Sequence, residues 1–228
     1  MRYGKSLYQS NDIYTVHDYK NRDEWLKGRV KGIGGSDSAA AIGKNPWRTN
    51  VDLWMIKTGR KEQADISDAV QVKYGIEAED YLRRLYQLDH SDCYEVQYIP
   101  NIVLQSTNYP YMLYSPDGLL IEKDTGRKGI LEIKTTTIMK SWDKEKWKDQ
   151  IPENYFIQVL HGLIVTGFDF IELSAQLKYD QNYSQRKTYH IEKDEVIESV
   201  NFLKEELSIF WNEYVLADKE PGLILPEL

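Results

Sequence analysis

The chain has 228 residues, a formal charge of -7 from 29 basic and 36 acidic side chains, and a single cysteine, Cys93. One cysteine excludes an internal disulfide and a cysteine-ligated zinc or iron–sulfur centre, and the acidic balance excludes a uniformly basic coat for nucleic acid while leaving room for a local basic groove. No stretch approaches the roughly 18 apolar residues of a membrane span, and the opening MRYGKSLYQSNDIY has no apolar signal core, so a soluble chain in a reducing cytoplasm is expected.

Residues 18–30, DYKNRDEWLKGRV, read as a short charged helix. It runs into GIGGSDSAAAIG at 32–43, a glycine-rich loop that opens a second helix. The spacing fits neither GxxxxGK[ST] nor GxGxxG with an acidic residue about 20 positions on. Taken alone, the loop is a helix N-terminus capped by Ser36 or Asp37 and propagated by Ala39, Ala40 and Ala41, or an anion site of the kind helix N-termini supply. Asn45-Pro46 punctuates the chain, and a further helix is expected from Asn50 to Lys57, ended by Thr58-Gly59. From Ser67 to about Gln87, Ile76, Tyr81, Leu82, Leu85 and Tyr86 recur at helical spacing and predict a long helix.

After Tyr94, β-branched and aromatic residues dominate EVQYIPNIVLQ, YMLYSPDGLLIEK and GILEIKTTT, which read as consecutive antiparallel strands. Residues 153–166 form a buried helix closed by Thr166-Gly167; FIELSAQLKYD and KTYHIEKD add edge strands. Residues 194–217 make an amphipathic C-terminal helix. With no repeat or low-complexity linker, the expected fold is one α/β (α+β) domain over residues 1–228, in roughly αα-βββ-α-ββ-α order.

Two short stretches carry the chemistry. Ser115-Pro116-Asp117-Gly118 lies between strand-like runs, and Leu131-Glu132-Ile133-Lys134 follows. Alternation along a strand sends Leu131 and Ile133 into the core and turns Glu132 and Lys134 together the other way. With a turn near Lys123 to Gly126, antiparallel pairing is expected to set Asp117 about opposite Lys134 and diagonal to Glu132. Two hard carboxylates and a backbone carbonyl suit Mg²⁺ or Mn²⁺, and an adjacent ammonium can position a water, which is a design for phosphodiester hydrolysis. Separately, SPDG is ordinary turn chemistry and EIK an ordinary edge strand.

In combination, PD…ExK resembles the PD-(D/E)XK nucleases, whose fold is a restriction-endonuclease-like mixed central sheet flanked by helices. Over about residues 25–217 the chain is similar to the phage lambda-type exonuclease, or YqaJ-like viral recombinase, branch of that superfamily. The shared features are Arg29 with GIGGSD, Gly75 four residues before Glu79, SPDG, LEIKT, Gln158-Val159 followed by VTG, and Phe210-Trp211 ahead of Pro221. The resemblance implies that Asp117, Glu132 and the Ile133 carbonyl ligate the metal and that Lys134 orients the attacking water. Glu79 would hold a metal-bound water or a second metal; Glu77 competes for that role but points about 200° away on a helix. Gln158 would contact the water or the lysine. Arg29, Ser36 and Ser115 would receive the 5′-terminal phosphate of the strand being degraded.

The implied function is a Mg²⁺-dependent 5′→3′ double-strand exonuclease, a toroidal homotrimer that leaves 3′ single strands and works with a single-strand annealing protein. A phage or prophage origin would place it in a bacterial host's cytoplasm. An endonuclease of the same fold and a catalytically silent DNA-end-binding protein are the alternatives.

Residues 138–148, IMKSWDKEKWK, interleave Lys140, Lys144, Lys146 and Lys148 with Trp142 and Trp147. The mixture suits a DNA backbone and its bases, although the alternating Asp143 and Glu145 equally suit a solvated face. His17, His90, His161 and His190 show no metal-ligand spacing, and His161 is expected to pack rather than react.

Overall fold

The computed structural model describes residues 6–225, so the first five residues of the opening segment lie outside the described residues. In chain order come β1 (Tyr14–Asp18), α1 (Arg22–Arg29), β2 (Ile33–Gly34), α2 (Gly35–Ala41), α3 (Asn50–Lys57) and α4 (Val70–Asp89). There follow β3 (Tyr94–Gln97), β4 (Ile102–Ser106), β5 (Met112–Tyr114), β6 (Gly118–Glu122), β7 (Lys128–Thr137), α5 (Ser141–Glu145) and α6 (Glu153–Thr166). The chain closes with β8 (Phe170–Lys178), β9 (Ser184–Glu192) and α7 (Ile197–Ile209), which widens into a π-helical stretch over Phe210–Leu216.

The strands form two mixed sheets, one in the order β1-β4-β5-β2 and one in the order β3-β6-β7-β8-β9. Two of the three strand-like runs after Tyr94 are divided between the sheets, and GILEIKTTT stays whole as β7. Pro100 splits β3 from β4, and Pro116 splits β5 from β6; a proline has no N–H for the ladder, and at each one the chain changes sheet. Asn101 helps the first crossover with a left-handed φ of 58°. The expected antiparallel pairing holds between β4 and β5 and between β6 and β7, while β7 and β8 pair in parallel. Parallel neighbours need a crossover, and α5 and α6 provide it.

β8 is not an edge strand. It lies between β7 and β9, and seven of its nine residues, including Glu172 and Ser174, are buried. Only β9 borders solvent on that side.

Local chemistry sets the helix ends. Asn21 caps α1 by accepting the Glu24 N–H at 3.0 Å, and Thr49 caps α3 by accepting the Asp52 N–H at 3.1 Å. Gly167 ends α6 in a left-handed conformation, its N–H donating to the Leu163 carbonyl. At α2, of the two expected capping residues, Asp37 fills the role, reaching back to accept the Gly34 N–H at 3.1 Å, while Ser36 is exposed.

The five-stranded sheet is covered on both faces. Leu119, Ile130, Ile171 and Leu173 share one core with Ile157, Leu160 and Leu163 of α6. Leu120, Leu131, Ile133 and Phe170 pack on the other face against Leu82 and Tyr86 of α4. Burying each aliphatic or phenylalanine side chain stabilises the fold by about 1.5–3 kcal/mol. Among the described residues no helix is long and apolar enough to cross a membrane.

Candidate active site

Alternation along β7 puts Leu131 and Ile133 against α4 and turns Glu132 and Lys134 toward α6. Glu132 is only 1% exposed, and three elements satisfy its carboxylate. The Tyr114 hydroxyl, at the end of β5, donates to Oε2 at 2.6 Å, while Lys134 Nζ and Gln158 Nε2 donate to Oε1 at 2.6 and 2.5 Å. Lys134 also donates to Gln158 Oε1 at 3.1 Å, closing a triangle. Burial pulls the Lys134 pKa down, but Glu132 and Asp117 outweigh it and hold the ammonium above its ordinary value.

Glycines make the space for this triangle. A Cβ on Gly162 of α6 would lie 3.0 Å from the Tyr114 ring, and one on Gly35 would lie 3.2 Å from Gln158 and 3.3 Å from Tyr114. The glycine-rich segment is therefore also a packing surface for the carboxylate's partners.

Asp117 enters from the crossover between the two sheets. The β6–β7 ladder pairs Gly118 with Leu131 and Leu119 with Ile130, which continues to place Asp117 opposite Glu132 rather than Lys134. The expected turn is present, but Glu122 N–H donating to the Arg127 carbonyl sets the ladder two residues from the expected register. Asp117 Oδ2 accepts the Ile133 N–H at 2.7 Å. N–H and C=O of one strand residue face the same edge, so the Ile133 carbonyl lies on the Asp117 side of β7.

Glu79 comes to the site from α4, whose Gly75 allows close approach to β7; a Cβ there would sit 3.1 Å from Thr135 Oγ1. Glu77 is exposed. Between Glu79 and Asp117 stands a residue that the sequence reading missed. Buried Arg83 donates through Nε to the Asp117 carbonyl at 2.6 Å, through Nη2 to Glu79 at 2.7 Å and through Nη1 to Asp80 at 3.1 Å. Its guanidinium lies 3.3 Å from the Tyr98 ring centroid. The spacing of Glu79 and Asp80 before Arg83 hints at helical ion pairs, but a bond to a distant carbonyl leaves no mark in sequence. Tyr114 was missed for the same reason.

The donor set fits a hard divalent cation. Burial, then repulsion from Glu132 and Glu79, pushes the Asp117 carboxyl well above the ordinary carboxylate range, and burial raises Glu79 despite Arg83. A bound cation relieves such crowding. Among the described residues Asp117 Oδ1 has no hydrogen-bond partner, and with Glu132 and the Ile133 carbonyl it makes an all-oxygen set of the kind Mg²⁺ or Mn²⁺ takes. No group of three or more His, Cys, Asp or Glu residues gathers as a metal site among the described residues, so water or substrate oxygens would complete the shell.

Of the residues expected to hold a phosphate, Arg29 stacks over Trp25 at 4.4 Å and lies 3.8 Å from where a Cβ on Gly34 would be. It makes no ion pair among the described residues. Burial lowers its pKa, opposed by the fields of Asp37, Asp117 and Glu132. The Trp25 indole N–H also donates to Ser115 Oγ at 3.1 Å, so one side chain links Arg29 to Ser115. Ser36 presents an exposed hydroxyl that makes no hydrogen bond among the described residues. Asp37 is a structural anchor: burial alone would raise its pKa, but Lys57 at 2.8 Å and Arg48 at 3.0 Å hold it below the ordinary value.

The two tryptophans of residues 138–148 part company, since Trp147 is buried and Trp142 exposed. His161 packs as expected, fully buried between Ser38 Oγ at 2.7 Å and the Leu113 carbonyl at 2.9 Å.

Comparison with known proteins matches this geometry to a family. The uncharacterized protein YqaJ of Bacillus subtilis (strain 168) is 32% identical over 213 residues, covering 93% of this chain and 62% of that protein. The chain thus spans less than two thirds of that relative's length. The alkaline exonuclease LHK-Exo from Laribacter hongkongensis is similar in structure, with a TM-score of 0.65 at 22% identity over 86% of this chain and 94% of that one. The same protein in complex with dAMP gives a TM-score of 0.64 at 20% identity over the same shares. At these identities the likeness concerns the fold, which is restriction-endonuclease-like. The model of the YqaJ-like viral recombinase domain matches residues 24–169, a span that holds Arg29, Glu79, Asp117, Glu132, Lys134 and Gln158, and the chain belongs to that family.

Proposed function

We propose that the chain is a Mg²⁺-dependent deoxyribonuclease that degrades linear duplex DNA from its 5′ ends and leaves 3′ single strands for recombination by annealing. The observation that carries this reading is the Glu132–Lys134–Gln158 triangle facing Asp117, a charged ammonium held beside two carboxylates and a free carboxylate oxygen. Membership of a viral recombinase family and the exonuclease fold support it.

In this reading Asp117, Glu132 and the Ile133 carbonyl would hold the metal, and Glu79 would hold a metal-bound water or a second metal. Bound Mg²⁺, or Mn²⁺ in its place, supplies Lewis-acid polarisation of the phosphate and a more acidic water. Lys134, kept charged by its neighbours, orients the attacking water, and Gln158 fixes the ammonium's direction. Tyr114 donates to the Glu132 oxygen that the other two partners leave free and so holds the carboxylate in place. Arg29, whose guanidinium has no carboxylate partner among the described residues, receives the 5′-terminal phosphate together with the Ser36 and Ser115 hydroxyls. Anchoring that phosphate sets which phosphodiester reaches the metal. A homotrimeric ring around duplex and an annealing-protein partner belong to the same proposal, as does a cytoplasmic site of action.

Digestion of linear duplexes carrying 5′-phosphate or 5′-hydroxyl ends, beside closed circles, tests the reading with Mg²⁺ present and Asp117→Ala as control. Loss of only the linear 5′ strands, faster with phosphate, is expected. Cleaved circles would make the protein an endonuclease, and an inert wild type would leave an end-binding protein.

A further inference from the structure

We propose that the arch of residues 138–147, which carries α5, is a stacking platform for the bases of a DNA strand leaving the candidate active site. The inference rests on the nuclease reading for its substrate, but its geometry stands apart from the metal site.

The arch is bolted at both ends. Ile138 is buried, and its N–H donates to the Lys178 carbonyl at 2.7 Å. Trp147 is buried against the rings of Tyr155 and Tyr189, at 5.6 and 6.0 Å, and its carbonyl accepts from Tyr189 Oη at 2.5 Å and Lys187 Nζ at 2.8 Å. Between the bolts Asp143 caps the short helix, accepting the N–H groups of Met139 and Lys140 at 3.3 and 3.1 Å. A segment pinned in this way does not expose large apolar groups for want of structure. It nevertheless exposes Met139 at 81% and Trp142 at 57%.

Charge and position identify the occupant. Lys140, Lys144, Lys146 and Lys148 are all exposed and outnumber Asp143, Glu145 and the flanking Asp149, in a chain with a net charge of -7. One of those acids is already committed to the cap. Lys140 Nζ lies 4.4 Å from the Trp142 ring centroid, so a cation and a flat aromatic surface are presented together. The arch continues β7, and Thr137 lies roughly 10 Å along the strand from Lys134. Tyr155 bridges the two regions, packing on Trp147 and standing 5.2 Å from Lys134 Nζ. Lysines for phosphates and an aromatic face for bases are the components of sequence-tolerant single-strand binding. Two apolar side chains among lysines make a poor protein-docking surface, since a stable interface buries about 800 Å² per partner.

The test is fluorescence anisotropy of a labelled 12-nucleotide oligothymidylate and of a duplex with a frayed end, in EDTA so that nothing is cut. Trp142→Ala is expected to weaken binding about tenfold at an unchanged melting temperature, with an unchanged slope of affinity against salt. Trp142→Phe should restore most of the loss, and Lys140→Ala should lower the salt slope instead. Wild-type affinity in Trp142→Ala, or equal losses in the alanine and phenylalanine variants, would overturn the platform. A wild type that binds DNA through Trp142 but never cuts it would defeat the nuclease reading and leave the platform standing.

Discussion

Arg83→Met should destabilise the fold by about 2–4 kcal/mol. The guanidinium's bond to the Asp117 carbonyl is charge-assisted and sheltered by the Tyr98 ring, and such a bond contributes about 1.5–3 kcal/mol. Its ion pairs reach Glu79 and Asp80, whose side chains are 33% and 50% exposed, so solvent screens them and together they add only about 1 kcal/mol. Methionine fills much of the volume and returns part of the loss, but it leaves the Asp117 carbonyl without its donor. Arg83→Lys keeps the charge without the fork and should cost roughly half as much. Urea unfolding followed by far-ultraviolet circular dichroism reads both variants, with an unchanged dependence on denaturant marking a change of stability alone. A loss under about 0.5 kcal/mol for Arg83→Met would refute the reasoning, because it would mean that α4 and the sheet crossover are not joined by this residue in solution.

Lys134→Ala should abolish cleavage while end binding in EDTA survives; cleavage at the wild-type rate would remove the lysine from the mechanism. Arg29→Ala should erase any preference for 5′-phosphorylated over 5′-hydroxyl ends, measured as the ratio of initial rates, with metal binding unchanged; an undiminished ratio would free Arg29 of that role. Burial pushes the His161 pKa down to about 4, from an ordinary 6.5. The unfolded chain therefore binds a proton between those values that the folded chain refuses, so stability is complete above pH 6.5 and about 3 kcal/mol is lost as the pH falls to 4. In His161→Gln the same titration of unfolding free energy should be flatter by that amount, and an equal slope would show that other groups account for the acid sensitivity.

Much of this architecture is local and therefore readable. Helical spacing located α4 and α7, end signals and apolarity located α3 and α6, and alternation on β7 correctly turned Glu132 and Lys134 away from Leu131 and Ile133. What failed was long-range. β1 escaped because Tyr14–Asp18 is short and its partner β4 lies far along the chain. Pro100 lies inside a run that reads as one strand and Pro116 reads as a turn between two strands, whereas each proline moves the chain to another sheet. β8 looked like an edge because its polar Glu172 and Ser174 suggest exposure, yet Tyr94 and His190 satisfy Glu172 inside the fold. At the site, side chains set by strand alternation were legible, and those set by contacts between distant elements, Tyr114 and Arg83, were not.

The position of Asp117 has a consequence for how the chain acquires chemistry. It sits on the bridge between the sheets, while the partners of Glu132 arrive from β5, β7 and α6. Neither half of the molecule holds an assembled site. On the proposed nuclease reading, a nascent, nicked or half-denatured chain would be inert until its last long-range contacts close, so that cleavage of the host's DNA would be withheld from every incomplete form of the protein.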